Sequence, residues 1–226
     1  MKPKIKVDIV SDIVCPWCYI GKKRFQNAVE VLKNKYDFEI DYKAFELYPE
    51  IKDSTTNLKD HLISKIGDSD KVESMTNQVI ITAREEGITM KFKEDKIIPN
   101  TLLAHKLLKL ITNTTLKAEL NEALLEAYFK ENINIGIQEE LFDIGEKTGV
   151  PKEILNNFMN NTDCSEVQEE EEFYRKAGVN AVPSFIINDK HLVQGAQDTA
   201  TFIKAFEQIA NPTITESSCK PNSGCC

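Results

Sequence analysis

Apolar and polar positions change period along the chain, and each change marks an element. Ile5, Val7, Ile9 and Val10 make a short apolar run that reads as a buried strand over residues 4–11. Asp8 interrupts it and is expected at the strand edge or in solvent. The sharper alternative is a partly buried acid that relays a proton to Cys18. Phe25, Val29 and Leu32 then recur at three- and four-residue intervals, which predicts a helix. Between Phe38 and Phe45 the period falls to two: Phe38, Ile40, Tyr42 and Ala44 alternate with Glu39, Asp41 and Lys43. A strand–helix–strand unit with a right-handed crossover makes a parallel pair. From Leu58 to about Asn160 nearly every apolar stripe is helical, as in Leu58–Leu62–Ile66 and Met75–Val79–Ala83. Asn100-Thr101 reads as a helix cap, and Lys91 to Lys96 as a charged loop or edge ribbon. A further helix spans Asp163 to Lys176. The apolar strand Ser184 to Ile187 follows, turned by Asn188-Asp189-Lys190 into a short partner, His191 to Gln194. Asp198 or Thr199 caps a last helix with Phe202, Phe206 and Ile209 on its inner face.

The order of elements predicts an α/β protein whose sheet comes from both ends of the chain. Residues 1–57 and 161–210 form that unit, 58–160 a helical insertion, and 211–226 a tail expected to be disordered. The net charge of −8 and pI of about 5.1 argue against a nucleic-acid binder. No apolar run reaches membrane-spanning length, so no membrane partner is expected. The chain enters its first strand within a few residues, without a signal-peptide apolar region, which points to the cytoplasm. Six cysteines there are expected to be mostly reduced.

The chemistry concentrates in Val14-Cys15-Pro16-Trp17-Cys18-Tyr19, at the junction of the first strand and first helix. Unpaired N–H groups and the positive helix end favour a thiolate at Cys15. Pro16 costs the first turn nothing, since its missing N–H has no intrahelical partner there. Cys18, one turn on, is close enough to close a small disulfide ring. Cys15 therefore reads as the attacking sulfur and Cys18 as the resolving one. A zinc site would want four ligands, usually from a second such pair, and no second Cys-x-x-Cys exists; no metal is expected at this site. Lys22, Lys23 and Arg24 read as a solvated face that also contributes to the field at Cys15. Asp12 reads as a loop-ordering acceptor. His61 and His105, each among apolar helix residues, read as satisfied or surface histidines. The acidic run Glu169 to Glu172 reads as a solvated face, and Cys164 as structural. Cys219, Cys225 and Cys226 in the tail read as untied thiols, with a soft-metal site or electron transfer to the Cys15–Cys18 pair as alternatives.

Several motifs in this order resemble the DsbA-like family of the thioredoxin fold, and its cytoplasmic FrnE-like branch in particular. They are Ser11-Asp12-Ile13-Val14-Cys15-Pro16-Trp17-Cys18-Tyr19-Ile20-Gly21, Pro99-Asn100-Thr101 with Ala104-His105, Val182-Pro183-Ser184-Phe185 and Gly195-Ala196-Gln197. The resemblance implies a thioredoxin fold interrupted by a large all-helical insertion. It implies Cys15 as nucleophile and Cys18 as resolver, with Pro16 and Trp17 at the substrate. It implies a cis Val182–Pro183 bond beside the pair, with Val182 offering backbone hydrogen bonds to an extended substrate. Composition does not show this, since only about 5–6% of X-Pro bonds in folded proteins are cis. His105 and Asn100 would line the cleft from the helical part. The implied activity is thiol–disulfide exchange on protein or small-molecule disulfides, with no cofactor beyond the Cys15–Cys18 couple and with glutathione as co-substrate. A glutathione-dependent isomerase or transferase, and a chaperone or metal-binding module, are the alternatives. Trp17 stands where DsbA has a histidine that stabilises the thiolate, so a less oxidising couple than DsbA's is expected.

Overall fold

The computed structural model describes residues 2–53 and 55–210. The expected Cys-bearing tail, with Cys219, Cys225 and Cys226, lies outside the described residues. The first strand β1 (Lys4–Ser11) leads into α1 (Pro16–Leu32) and the second strand β2 (Asp37–Ala44), which pairs with β1 in parallel. A two-residue ribbon, β3 (Thr56–Asn57) with β4 (Ile97–Ile98), brackets α2 (Leu58–Ile66) and α3 (Ser69–Glu85). Then come α4 (Leu102–Lys109), α5 (Thr114–Glu126), a π-turn (Ala127–Glu131), α6 (Gln138–Thr148), α7 (Lys152–Asn160) and α8 (Ser165–Lys176). The chain returns to the sheet with β5 (Ser184–Ile187) and β6 (His191–Gln194), and α9 (Thr199–Ala210) follows. The sheet order is β2-β1-β5-β6, with β5 antiparallel to both neighbours. Asp198 caps α9 by accepting the Thr201 N–H at 2.6 Å.

Period two and period 3.6 explain most of this. Ile5, Val7 and Ile9 on one face of β1 pack with Phe25 of α1, Phe185 of β5, and Phe202 and Phe206 of α9. Phe25 stacks on Phe185 at 5.3 Å and meets Phe202 edge-on at 5.8 Å. The larger core belongs to the helices between β2 and α8, and it takes in Ile13, Val14, Tyr19 and Ile20 from the corner between β1 and α1. The helices thus share their interior with the corner that carries the cysteines.

Several polar readings are corrected by what the helices cover. Asp8 is not solvated. It is 6% exposed, on the β1 face that meets α8, and accepts a bond from the Tyr174 hydroxyl at 3.1 Å. The acidic run on α8 is only half solvated: Glu170 binds the Ala44 N–H and Lys109, each at 3.0 Å, and Glu171 binds the Glu46 N–H and Arg175. Lys96, expected in a charged loop, is fully buried. The Leu58–Leu62–Ile66 stripe of α2 is only half-buried, and Met75 on α3 is exposed.

Candidate functional site

Cys15 is the N-cap of α1 and Pro16 its first residue, so the chain turns from strand to helix at the sulfur itself. The Cys15 carbonyl accepts the Cys18 N–H at 3.0 Å, which closes the first turn and brings the two side chains to one side. Both are free thiols; Cys15 is 4% and Cys18 3% exposed. Burial pushes the Cys18 thiol well above its ordinary range, and the adjoining Cys15 thiol adds to the effect. Trp17 projects outward at 39% exposure.

The Val182–Pro183 bond is cis, as the resemblance implies. Val182 lies just before β5, outside its pairing, and its carbonyl is 3.9 Å from the Cys15 Sγ, within reach of a weak S–H···O bond. Gly21 of α1 makes this approach possible. A Cβ there would stand 2.9 Å from Pro183 Cγ and 3.2 Å from Ala196 Cα. The Gly195 N–H binds the Pro183 carbonyl at 2.8 Å, and Arg24 Nη1 binds the Ala196 carbonyl at 2.8 Å. The Gly195-Ala196-Gln197 stretch therefore braces the cis-proline loop against α1.

Asn100 and His105, expected to line the cleft, are each held by protein partners. The Asn100 amide donates to Glu46 Oε1 at 3.0 Å and to the Ile51 carbonyl at 2.8 Å, and its oxygen accepts the Leu102 N–H. His105, 4% exposed, sets Nε2 3.3 Å from Asp12 Oδ1. Burial lowers the His105 imidazole, but its bond to Asp12 outweighs that and the net shift is upward. The other Asp12 oxygen accepts the Leu47 N–H at 2.6 Å, so Asp12 does order its loop.

Some residues at the site carry no local signal. Tyr48, from the loop after β2, is pushed up to about 12 by burial, with Cys15 close enough to add to the shift. Lys22 and Arg24 are not a solvated face. Lys22 is 2% exposed and binds Asn121 at 2.8 Å and Glu122 at 2.7 Å, both on α5. Arg24 pairs with Glu86 at 2.6 Å. A glycine inside a long helix is the one sequence hint at this crowding, since Gly costs a helix interior about 1 kcal/mol relative to Ala. Among the described residues no cluster of three or more His, Cys, Asp or Glu side chains is arranged to hold a metal ion.

A parallel β1–β2 pair, antiparallel β5 and β6, a helix headed by two adjacent thiols and a cis-proline loop beside them define a thioredoxin fold. The chain belongs to the DSBA-like thioredoxin domain family, whose profile matches residues 6–207. It is 27% identical over 204 residues to YwbO, an uncharacterised protein of Bacillus subtilis strain 168, covering 89% of this chain and 96% of that one. A probable DsbA oxidoreductase from Streptomyces coelicolor superposes with a TM-score of 0.83 at 26% identity, over 91% of this chain and 89% of that one. The cytosolic disulfide reductase DsbM from Pseudomonas aeruginosa, solved with GSH, shares the fold at 12% identity. Its TM-score is 0.62, over 90% of this chain and 98% of that one. No helix among the described residues is long and apolar enough to cross a membrane.

Proposed function

We propose that this protein is a thiol–disulfide oxidoreductase that works through the Cys15–Cys18 couple. The observation that carries the reading is the meeting of three things: Cys15 at the head of α1, Cys18 one turn on, and the cis Val182–Pro183 loop at the Cys15 sulfur. Cys15, as thiolate, attacks a substrate disulfide; the substrate S–S bond breaks, one substrate thiolate leaves, and a mixed disulfide forms. Cys18, as thiolate, then displaces the second substrate thiolate and closes the Cys15–Cys18 bond. Two small thiols reverse the oxidation and leave as their own disulfide. Glutathione fits this role chemically, and a fold neighbour solved with GSH supports it.

With Cys15 only 4% exposed, the reading favours a slim disulfide, in an extended peptide or in glutathione disulfide, over one set in a broad folded surface. The Val182 backbone lies outside the β5 ladder, which supports its pairing with such an extended segment. Trp17 contributes an exposed apolar face but no charge to hold the thiolate. That supports a couple less oxidising than DsbA's, which suits a cytoplasmic setting, while the FrnE-like branch is proposed from the set of motifs in the sequence.

The test is glutathione-coupled reduction of insulin. Cys15→Ser is expected to abolish turnover, and Cys18→Ser to trap a mixed disulfide visible by mass. Turnover that survives Cys15→Ser overturns the reading. Equilibration of the couple against glutathione buffers is expected to give a potential more reducing than the roughly −120 mV of DsbA.

A further inference from the structure

The resolving step needs Cys18 as a thiolate, yet burial disfavours that charge. Something behind the sulfur must offset it. A small cavity of about 10 Å³ lies there, where Cys18, Lys22, Asp12 and Asn121 meet apolar side chains of β1 and α5. It has room for about one water molecule. Lys22 stands one helical turn beyond Cys18, and its Nζ is held by Asn121 Oδ1 at 2.8 Å and Glu122 Oε2 at 2.7 Å. Glu122 keeps 40% of its side chain in solvent, and the Tyr19 hydroxyl holds its other oxygen at 2.7 Å. A buried cation thus lines the same small cavity as the buried sulfur, at a position set by α5.

We propose that Lys22 is a positioning residue for resolution: across this cavity its ammonium is the counter-charge for the Cys18 thiolate, and Asn121 and Glu122 hold it there. The inference deepens the dithiol reading and rests on it. In the step, the Cys18 proton passes by way of the cavity to solvent. The thiolate, opposite the Lys22 ammonium, attacks the Cys15 sulfur of the mixed disulfide. The Cys15–Cys18 bond forms, and the bond from Cys15 to the substrate breaks with loss of the substrate thiolate. The other charges about Cys18 do not supply this cation. Asp12, in the loop before α1, acts on Cys18 in two ways: its backbone N–H favours the thiolate, while its carboxylate, shared with His105 of α4, opposes it and is no cation. Tyr42 of β2 is kept a phenol by burial. Burial lowers Lys22, Glu122 and Glu126 of α5 act against that and favour its ammonium, and Lys23 of α1 acts on Glu122. Cys15 no longer carries a thiolate once it is in the mixed disulfide.

Charge sign makes the test. The full chain is mixed with excess glutathione disulfide and quenched in acid at intervals, at a series of pH values. The first glutathione released reports attack by Cys15 and is the internal reference; the second reports resolution by Cys18. Lys22→Met is expected to raise the pH midpoint of the second release by about one unit, making it roughly tenfold slower at pH 7. Lys22→Arg is expected to restore the native midpoint. A native midpoint in Lys22→Met overturns the proposal while the dithiol reading stands. Absence of any second release from the native chain overturns both. If Lys22→Met fails to fold, Lys22→Gln, which keeps a neutral polar group against Asn121 and Glu122, takes its place with the same expectation and the same overturning result.

Discussion

Gly21 shows how one missing Cβ sets the geometry of the site. Pro183 Cγ and the Ala196 backbone both occupy the space a side chain would need. The nearest atom belongs to a stiff ring and the next to backbone, so neither gives way cheaply. Gly21→Ala gains helix propensity yet is expected to lose about 1–3 kcal/mol overall, the range for overpacking a filled site. Because the strain falls on the cis-proline loop, glutathione-coupled turnover should drop as well. Urea midpoints and initial rates measured on one preparation check both. A variant as stable and as active as the native chain would show that the loop tolerates displacement.

At the scale of elements, the π-turn after α5 and the segment before α4 hold one another through a buried lysine. Lys96 Nζ donates to the Tyr128 carbonyl at 2.6 Å and to Asn132 Oδ1 at 3.4 Å, and sits 3.8 Å over the Tyr128 ring. Oxygens without formal charge and a ring face compensate a buried cation only in part, and burial lowers Lys96 from 10.5 to about 8. Between those values the unfolded chain binds the extra proton and the folded one does not. Stability therefore rises with pH across that window, by about 3 kcal/mol in all. Urea unfolding from pH 7.5 to 9.5 should show the rise in the native chain and lose most of it in Lys96→Met. The same lysine shows what a sequence hides. The alternation of Phe38, Ile40, Tyr42 and Ala44, the Phe202–Phe206 spacing and the Cys15–Cys18 turn are local, and each was legible along a few residues. Lys22, Lys96, Asp8 and Glu171 were not. A charged residue is buried only when a distant segment brings its partner, as α5 does for Lys22, and no window of sequence holds both. The partners of Asn100 and His105 were hidden for the same reason: Glu46 lies after β2 and Asp12 before α1.

Across the whole molecule, the helices between β2 and α8 are fastened to the sheet by polar pairs as well as by their shared core. Asp12–His105 joins the corner before α1 to α4, and Arg24–Glu86 joins α1 to the end of α3. His105 is raised above its ordinary 6.5. Its contribution to stability is full below that value and is lost as pH rises through the folded one. The stability gap between native and His105→Gln should accordingly shrink from pH 6 to pH 9. The shared core makes a stronger demand. Ile13, Val14, Tyr19 and Ile20 pack among the helices, yet their backbone is continuous with β1 and α1, so loss of the helices exposes the corner that holds the cysteines. Trp17 is the only tryptophan and lies in that corner, whereas far-UV dichroism reports chiefly on the helices. Urea curves followed by Trp17 fluorescence and by dichroism should coincide, as for one cooperative unit. If fluorescence holds after the helical signal has gone, the helices are a separable addition, and the site owes them only cover. If the curves coincide, α5 is as much a part of the dithiol site as α1, and the exchange chemistry must be read on the whole chain.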